Sequence, residues 1–172
     1  DQEGEARVLG SLGNLLAQQG NHDEAEQLFR GSMSIFVEIG HRHGEAKSLG
    51  NLGEMARRRG DLAESKRLHS ASLVIKREIG DRQGEANTLG GLGSIAKKLG
   101  DLAEAERLFR DSLVINREIG HRHGEARILT YLGDLAWANG NMDERHRYFA
   151  EAVQIKREIG IPIDKWYIEN GY

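Results

Sequence analysis

The chain has no cysteine, one proline and few aromatics among its 172 residues. Without thiols there is no disulfide framework, no thiolate zinc site and no cysteine nucleophile. That composition suits a reducing compartment, so a cytoplasmic setting is expected. No apolar run approaches the roughly 18 residues that a membrane span needs. No secretory leader pattern stands at residue 1. Instead DQEGEAR opens without Met, in what proves to be mid-pattern, which suggests a fragment cut from a longer protein. Charge of either sign is not in large excess. The net of -3 gives no general pull toward nucleic acid or an anionic membrane, and neither partner is expected.

What is abundant is glycine, 22 residues of it. Each glycine in a helix interior costs about 1 kcal/mol relative to alanine, so the glycines need positions to be tolerable. They have them. Gly4, Gly44, Gly84 and Gly124 are forty residues apart, as are the series beginning at Gly13, Gly20 and Gly40. Gly10, Gly50 and Gly90 form a fifth series, broken at Thr130. A period of this length signals a repeat array. The units are 4–43, 44–83, 84–123 and 124–163, followed by a tail at 164–172.

Each unit carries two amphipathic segments with the 3.6-residue period of helices, and no segment alternates as a strand does. In the third unit Leu89, Leu92, Gly93 and Ala96 mark the first segment, and Ala105, Leu108, Phe109, Ser112, Leu113 and Ile119 the second. Gly100 reads as a left-handed stop after the first helix, and Gly120 after the second. Asp101 with Glu104 reads as a capping box, repeated as Asp61/Glu64, Asn21/Glu24 and Asn141/Glu144. Each unit is therefore expected to be a hairpin of two helices of about 17 residues.

Leu9, Leu12-Gly13, Leu16, Ala25 and Phe29, and in the third unit Leu89, Leu92-Gly93, Ala96, Ala105 and Phe109, resemble the tetratricopeptide repeat. The long GNLG…GD form is similar to the repeats of Leu-Gly-Asn-type adaptors and of bacterial and archaeal signalling proteins. The departures are a 40-residue unit, a missing end-of-repeat proline, Ser65 and His69 in place of Ala and Phe, and Arg145 in place of Ala. These substitutions are expected to loosen local packing without changing the fold. The resemblance implies an all-α fold: an α-solenoid of four tandem helix–turn–helix repeats, wound as a right-handed superhelix around a concave groove. It also implies a protein or peptide partner, held in that groove as an extended segment or a helix.

Two apparent motifs dissolve in the repeat. Gly91-x-Gly93-x-x-Ala96 matches a dinucleotide fingerprint, but it lies inside a helix rather than between a strand and a helix. His41/His43 and His121/His123 have a metal-like spacing. Their counterparts are Asp81/Gln83 and Asp1/Glu3, so no ligand type is kept, and each pair supplies only two ligands. These histidines read as helix-initiating linkers that weaken below about pH 6. No metal, cofactor or catalytic residue is expected. The many acidic residues, such as Glu104, Glu106, Asp111 and Glu118, read as solvated surface.

On a helical wheel the first helices turn Leu9, Leu12, Gly13 and Leu16 inward, and the positions of residues 7, 11, 14 and 18 outward, with position 17 flanking. By the resemblance that outward side lines the groove. It carries Arg7, Ser11 and Asn14, then Lys47, Asn51, Glu54, Arg57 and Arg58. In the third unit come Asn87, Ser94, Lys97 and Lys98, and in the fourth Arg127, Tyr131, Asp134 and Trp137. Seven of these residues are cationic and two anionic in a chain that is acidic overall. Like-signed concave surfaces focus potential, so the groove is expected to bind an acidic extended segment, with Asn14, Asn51 and Asn87 bonding its backbone.

Seven of the ten aromatics lie from Tyr131 onward. Tyr131 and Trp137 fall on the groove side, and Trp137 reads equally as an interface anchor or as core. Trp166 and Ile168 in the tail are expected to cover the open end of the fourth unit. Unit one has no such cap, and Val8, Leu15 and Phe36 there allow copies of the fragment to stack end to end. The leading expectation is an interaction scaffold. The alternative is a ligand-sensing module of a signalling ATPase or transcription regulator.

Overall fold

The computed structural model describes all 172 residues. Eight long helices alternate with tight turns: α1 Gln2–Gln18, α2 His22–Glu38, α3 Arg42–Arg59, α4 Leu62–Glu78, α5 Arg82–Lys98, α6 Leu102–Glu118, α7 Arg122–Ala138 and α8 Met142–Glu158. A short α9, Lys165–Glu169, follows. The fold is all-α, a helical-repeat architecture of successive hairpins. The chain divides into two compact units, 1–84 and 85–172. The first holds the hairpins α1–α2 and α3–α4. The second holds α5–α6 and α7–α8, with α9 and the tail.

One turn is used eight times. Gly20, Gly40, Gly60 and their successors at twenty-residue steps to Gly160 all have positive φ. At each, the glycine N–H and the next N–H reach back into the preceding helix. Gly60 bonds the Arg57 carbonyl and Asp61 the Ala56 carbonyl at 3.2 and 2.9 Å. This is the Schellman closure, which only glycine enters without a Cβ penalty.

The same turn corrects the expected capping boxes. Asp61, Asp101 and Asn141 do accept from the N–H groups of Glu64, Glu104 and Glu144 at 3.0, 3.1 and 3.2 Å. Asn21 makes no such bond. The reciprocal arm, from the glutamate to the cap residue's own N–H, is absent in all four. That N–H is already committed to the helix before it, as in Asp61 to Ala56 and Asp101 to Ala96. Glu64 and Glu104 turn instead to Arg67 and Arg107.

Within each hairpin the two helices approach closely where the first carries glycine. A Cβ on Gly93 would lie 2.7 Å from the fully buried Phe109 ring, and one on Gly13 would lie as close to Phe29. Ser32, Ser72 and Ser112, all buried, tie the second helix to the first by donating to the carbonyls of Ala6, Ala46 and Ala86 at 2.7 to 2.8 Å. Gly91, two residues before Gly93, meets nothing within 4 Å. One substitution should therefore have opposite signs at the two sites. Gly91→Ala gains about 0.5 to 1 kcal/mol of helix propensity. Gly93→Ala gains the same but must displace Phe109, at an overpacking cost of about 1 to 3 kcal/mol. Urea unfolding of the two variants is expected to differ by about 2 kcal/mol. Equal midpoints would show that the Gly93–Phe109 approach is not tight.

Leu52, Met55 and Ala56 of α3 pack with Ala17, Ala25, Phe29 and Leu68 in the core of the first unit. In α1 the counterparts of Leu52 and Met55, Leu12 and Leu15, lie open, as does Val8, whereas Leu16, the counterpart of Ala56, packs on the same core. Val8, Leu12 and Leu15 are 66%, 43% and 50% exposed. Leu12, expected to point into the stack, is thus open to solvent. Phe36, expected to be partly open, is buried. It stacks against His41 and fills the space over Gly44 where a Cβ would stand.

In the second unit the tail folds over the last hairpin. Tyr167, Ile163 and Tyr172 pack on Phe149 and Val153. The Tyr167 and Tyr172 rings meet Phe149 edge-on, with centroids 5.3 and 5.5 Å away. Trp166 touches Phe149 as well, but Ile168 remains 60% exposed. The covering side chains are therefore the tyrosines and Ile163, with Trp166 at the rim. Arg145, in place of the repeat's alanine, swings its guanidinium over Trp137, Trp166 and Phe149 at 4.9, 5.5 and 5.7 Å.

Candidate functional site

In the first unit, α1 and α3 run side by side and present the expected face. Between them lies a cavity of about 320 Å³. Arg7 and Lys47 stand on it from the two helices, with Asn51 beyond. Small residues make its floor: Gly10, Ser32 and Ser48. His41 and His43, in the turn before α3, complete the rim together with Glu3. The Glu3 carboxylate is 3.6 Å from Arg7 and 3.8 Å from His41. His41 Nδ1 accepts from the Gly44 N–H at 2.9 Å, so the imidazole caps α3 and its proton sits on Nε2, toward Glu3. Lys47 has no carboxylate partner.

Farther along α3 the expected cations are engaged. Glu54 lies between Arg57 and Arg58, accepting from Arg57 at 2.7 Å twice and from Arg58 at 2.8 Å. Burial pushes the Glu54 carboxyl up, but those two arginines outweigh it and hold it below the usual carboxylate range. Asn14 and Asn51 are half-buried, and Ser11 turns its hydroxyl back to the Arg7 carbonyl. Ala17, at the flanking position, belongs to the core.

In the second unit, α5 supplies Asn87, Ser94, Lys97 and Lys98, and α7 supplies Arg127, Tyr131, Asp134 and Trp137. Arg127 donates to the Asn87 side-chain oxygen at 2.7 Å, linking the two helices. Ser94 bonds the Gly90 carbonyl of its own helix. Lys98 is exposed, and neither Lys97 nor Lys98 is in an ion pair. Burial raises the Asp134 carboxyl above its ordinary range, against the pull of Lys97 and Arg145. Tyr131 leans on Phe109, with centroids 5.3 Å apart. Trp137 is not core: it is 54% exposed beneath the Arg145 guanidinium. A second cavity, about 210 Å³, opens beside α7 and is lined by Arg127, Tyr131, His123 and Lys156.

Glu3 and Lys156 were not singled out from the sequence as site residues, and His41 was read only as a helix-initiating linker. Glu3 lies one turn before Arg7 in α1, while His41 and Lys156 reach the two cavities from a turn and a second helix, which a wheel of the first helices does not contain. A register comparison does carry the signal. Ser48 occupies the position that Ile128 holds two repeats later, and the Arg7/Lys47 pair corresponds to Asn87/Arg127. The histidine pairs part company: His121 Nδ1 lies 2.9 Å from Asn116 Oδ1 rather than capping α7. No three His, Asp or Glu side chains come together as metal ligands. No helix is long and apolar enough to cross a membrane.

Known structures share this arrangement. BtubC (BKLC) from P. vanneervenii superposes with a TM-score of 0.82 over 100% of this chain and 67% of its own, at 17% identity. Aspartyl phosphate phosphatase F from Bacillus subtilis gives 0.90 over 99% of this chain at 11% identity, and the match spans only 44% of the phosphatase. The apo form of RapI gives 0.86 over 93% of this chain and 58% of its own, at 14% identity. At these identities the likeness is one of fold. No curated protein sequence matches the chain. The family model for the tetratricopeptide repeat matches residues 4–78, 45–118 and 84–158, so that the matches together run through both units. The chain belongs to the tetratricopeptide repeat family.

Proposed function

We propose that this chain is a protein-interaction module that takes an acidic, extended segment on the first-helix faces of its repeats. The observation that carries the reading is the cationic cavity present in each unit: Arg7 and Lys47 between α1 and α3, and Arg127 and Lys156 beside α7. Cations lining a concavity raise the local concentration of an anionic partner and speed its capture. Lys97 and Lys98 on α5 add charge that is in no ion pair, although Lys97 also acts on the Asp134 carboxyl. Arg57 and Arg58 contribute less, since Glu54 already holds both.

The test uses a fluorescein-labelled peptide of alternating glutamate and serine, followed by anisotropy at two salt concentrations. Lys97→Glu with Lys98→Glu is expected to weaken capture about tenfold, equivalent to about 1.4 kcal/mol, and to flatten its salt dependence. Arg57→Glu with Arg58→Glu should do less. Unchanged capture by the lysine variant, with its melt intact, would remove this face as the site.

A further inference from the structure

The place in the second unit that corresponds to the cavity between α1 and α3 is packed differently, and the reason is local. Ile128 of α7 is fully buried, and its Cδ1 would lie 2.9 Å from a Cβ on Gly90. The corresponding pair in the first unit is Ser48 and Gly10, and a Cβ on Gly10 would meet only the Ser32 hydroxyl, at 3.4 Å. Asn87 and Arg127 bond across the second unit at 2.7 Å. Their counterparts, Arg7 and Lys47, are two cations that cannot bond each other. The first unit therefore keeps open a space of about 320 Å³, within the range of small-molecule sites.

The charges around that space set the ligand. Two cations, Arg7 and Lys47, and one carboxylate, Glu3, stand at its rim. Glu3 is held only at 3.6 and 3.8 Å by Arg7 and His41, so it retains capacity to accept from a ligand donor. Asn51 and Ser48 add neutral donors and acceptors. The matching pattern is two carboxylates and one ammonium on a compact skeleton.

We propose that the α1–α3 cavity binds a free acidic α-amino acid, with its two carboxylates toward Arg7 and Lys47 and its ammonium on Glu3. A peptide residue lacks this pattern, because its α-carboxylate is an amide. The site thus goes beyond segment binding and makes the first unit a small-ligand receptor.

Calorimetry with L-glutamate tests it, beside glutarate, which lacks the ammonium, and 4-aminobutyrate, which lacks one carboxylate. Glutamate is expected to bind about tenfold tighter than either, the discrimination of one charge-assisted hydrogen bond. Ser48→Ile, which installs the residue of the second unit, should weaken glutamate at least tenfold. Lys47→Gln, at an exposed position, checks the same loss without touching the interior. Glu3→Gln should erase the preference for glutamate over glutarate. Equal affinity for the three ligands, or glutamate binding undiminished in both Ser48→Ile and Lys47→Gln, overturns the proposal. Either result leaves the segment-binding reading standing, because that reading is read from the peptide.

Discussion

Tyr167→Ala is expected to lower the unfolding free energy by about 3 to 4 kcal/mol, among the largest losses that a single substitution in this chain can produce. Tyr167 is buried, and its ring closes edge-on over Phe149. Lys156 places its ammonium 4.9 Å from the ring centre. Burial, offset in part by a hydrogen bond with Thr130, raises the phenol above its ordinary range, as befits a hydroxyl in the core. The backbone around it is held too: the Tyr172 N–H donates to the Tyr167 carbonyl at 3.0 Å, and Arg157 donates to the Tyr172 carbonyl at 3.1 Å. Without the ring, Phe149 and Val153 face water, since terminal repeats need a covering layer. Ile168→Ala, at an exposed site one residue away, is the control and should change stability by less than about 0.5 kcal/mol. Urea titrations of the two variants and of a chain ending at residue 163 decide the matter. A Tyr167→Ala loss below about 1 kcal/mol would show that the tail is not the cover of α8.

The second large effect runs the other way. His69 stands where the other three repeats bury Phe29, Phe109 and Phe149, and the absent Cβ of Gly53 leaves room for its ring. Burial is the main force that lowers its pKa from the ordinary 6.5, with Lys76 and Arg57 adding to it and Glu54 opposing. Unfolded, the imidazole takes its proton near pH 6.5; folded, it does so only at lower pH. Between those values the unfolded chain binds more protons, so stability is fully present above about pH 6.5 and falls as the pH drops through that window. Ser65, in the place of the repeat's alanine, is buried with a hydroxyl that has no partner. Ser65→Ala with His69→Phe should therefore gain about 2 to 3 kcal/mol at pH 7.5, from restored apolar burial and a removed unpaired group. Toward pH 5 the gap should widen by up to about 1.4 kcal/mol per pH unit. Parallel stability profiles for the two proteins between pH 5 and 8 would show that His69 does not titrate in the core.

The departures from the repeat thus have unequal consequences, and the sequence ranks them poorly. Ser65, His69 and Arg145 all read as places where packing loosens. Ser65 does sit in the core as a misfit, and His69 stands half-buried against Gly53. Arg145 instead leaves its alanine position and lies against two tryptophans and a phenylalanine, although its Nε finds no hydrogen-bond partner. A long side chain can travel to a partner, while a short one must accept what surrounds it.

The sequence by itself determined the helices, their ends and the family. The left-handed glycines recur because each turn needs a residue without Cβ, and the periods of Leu89, Leu92 and Ala96 follow from one residue's neighbours along its own helix. Such signals act over four or five residues and are complete in the sequence. Tertiary structure alone decided which charges are spent and where space remains. Arg57 and Arg58 are turned to Glu54, Tyr167 rather than Ile168 closes the end of the second unit, and a serine in place of isoleucine leaves a cavity between α1 and α3. Each depends on side chains brought together from different turns of helix or from different helices. Their distances are set by register and volume across a packed interface, which no pattern along one helix contains.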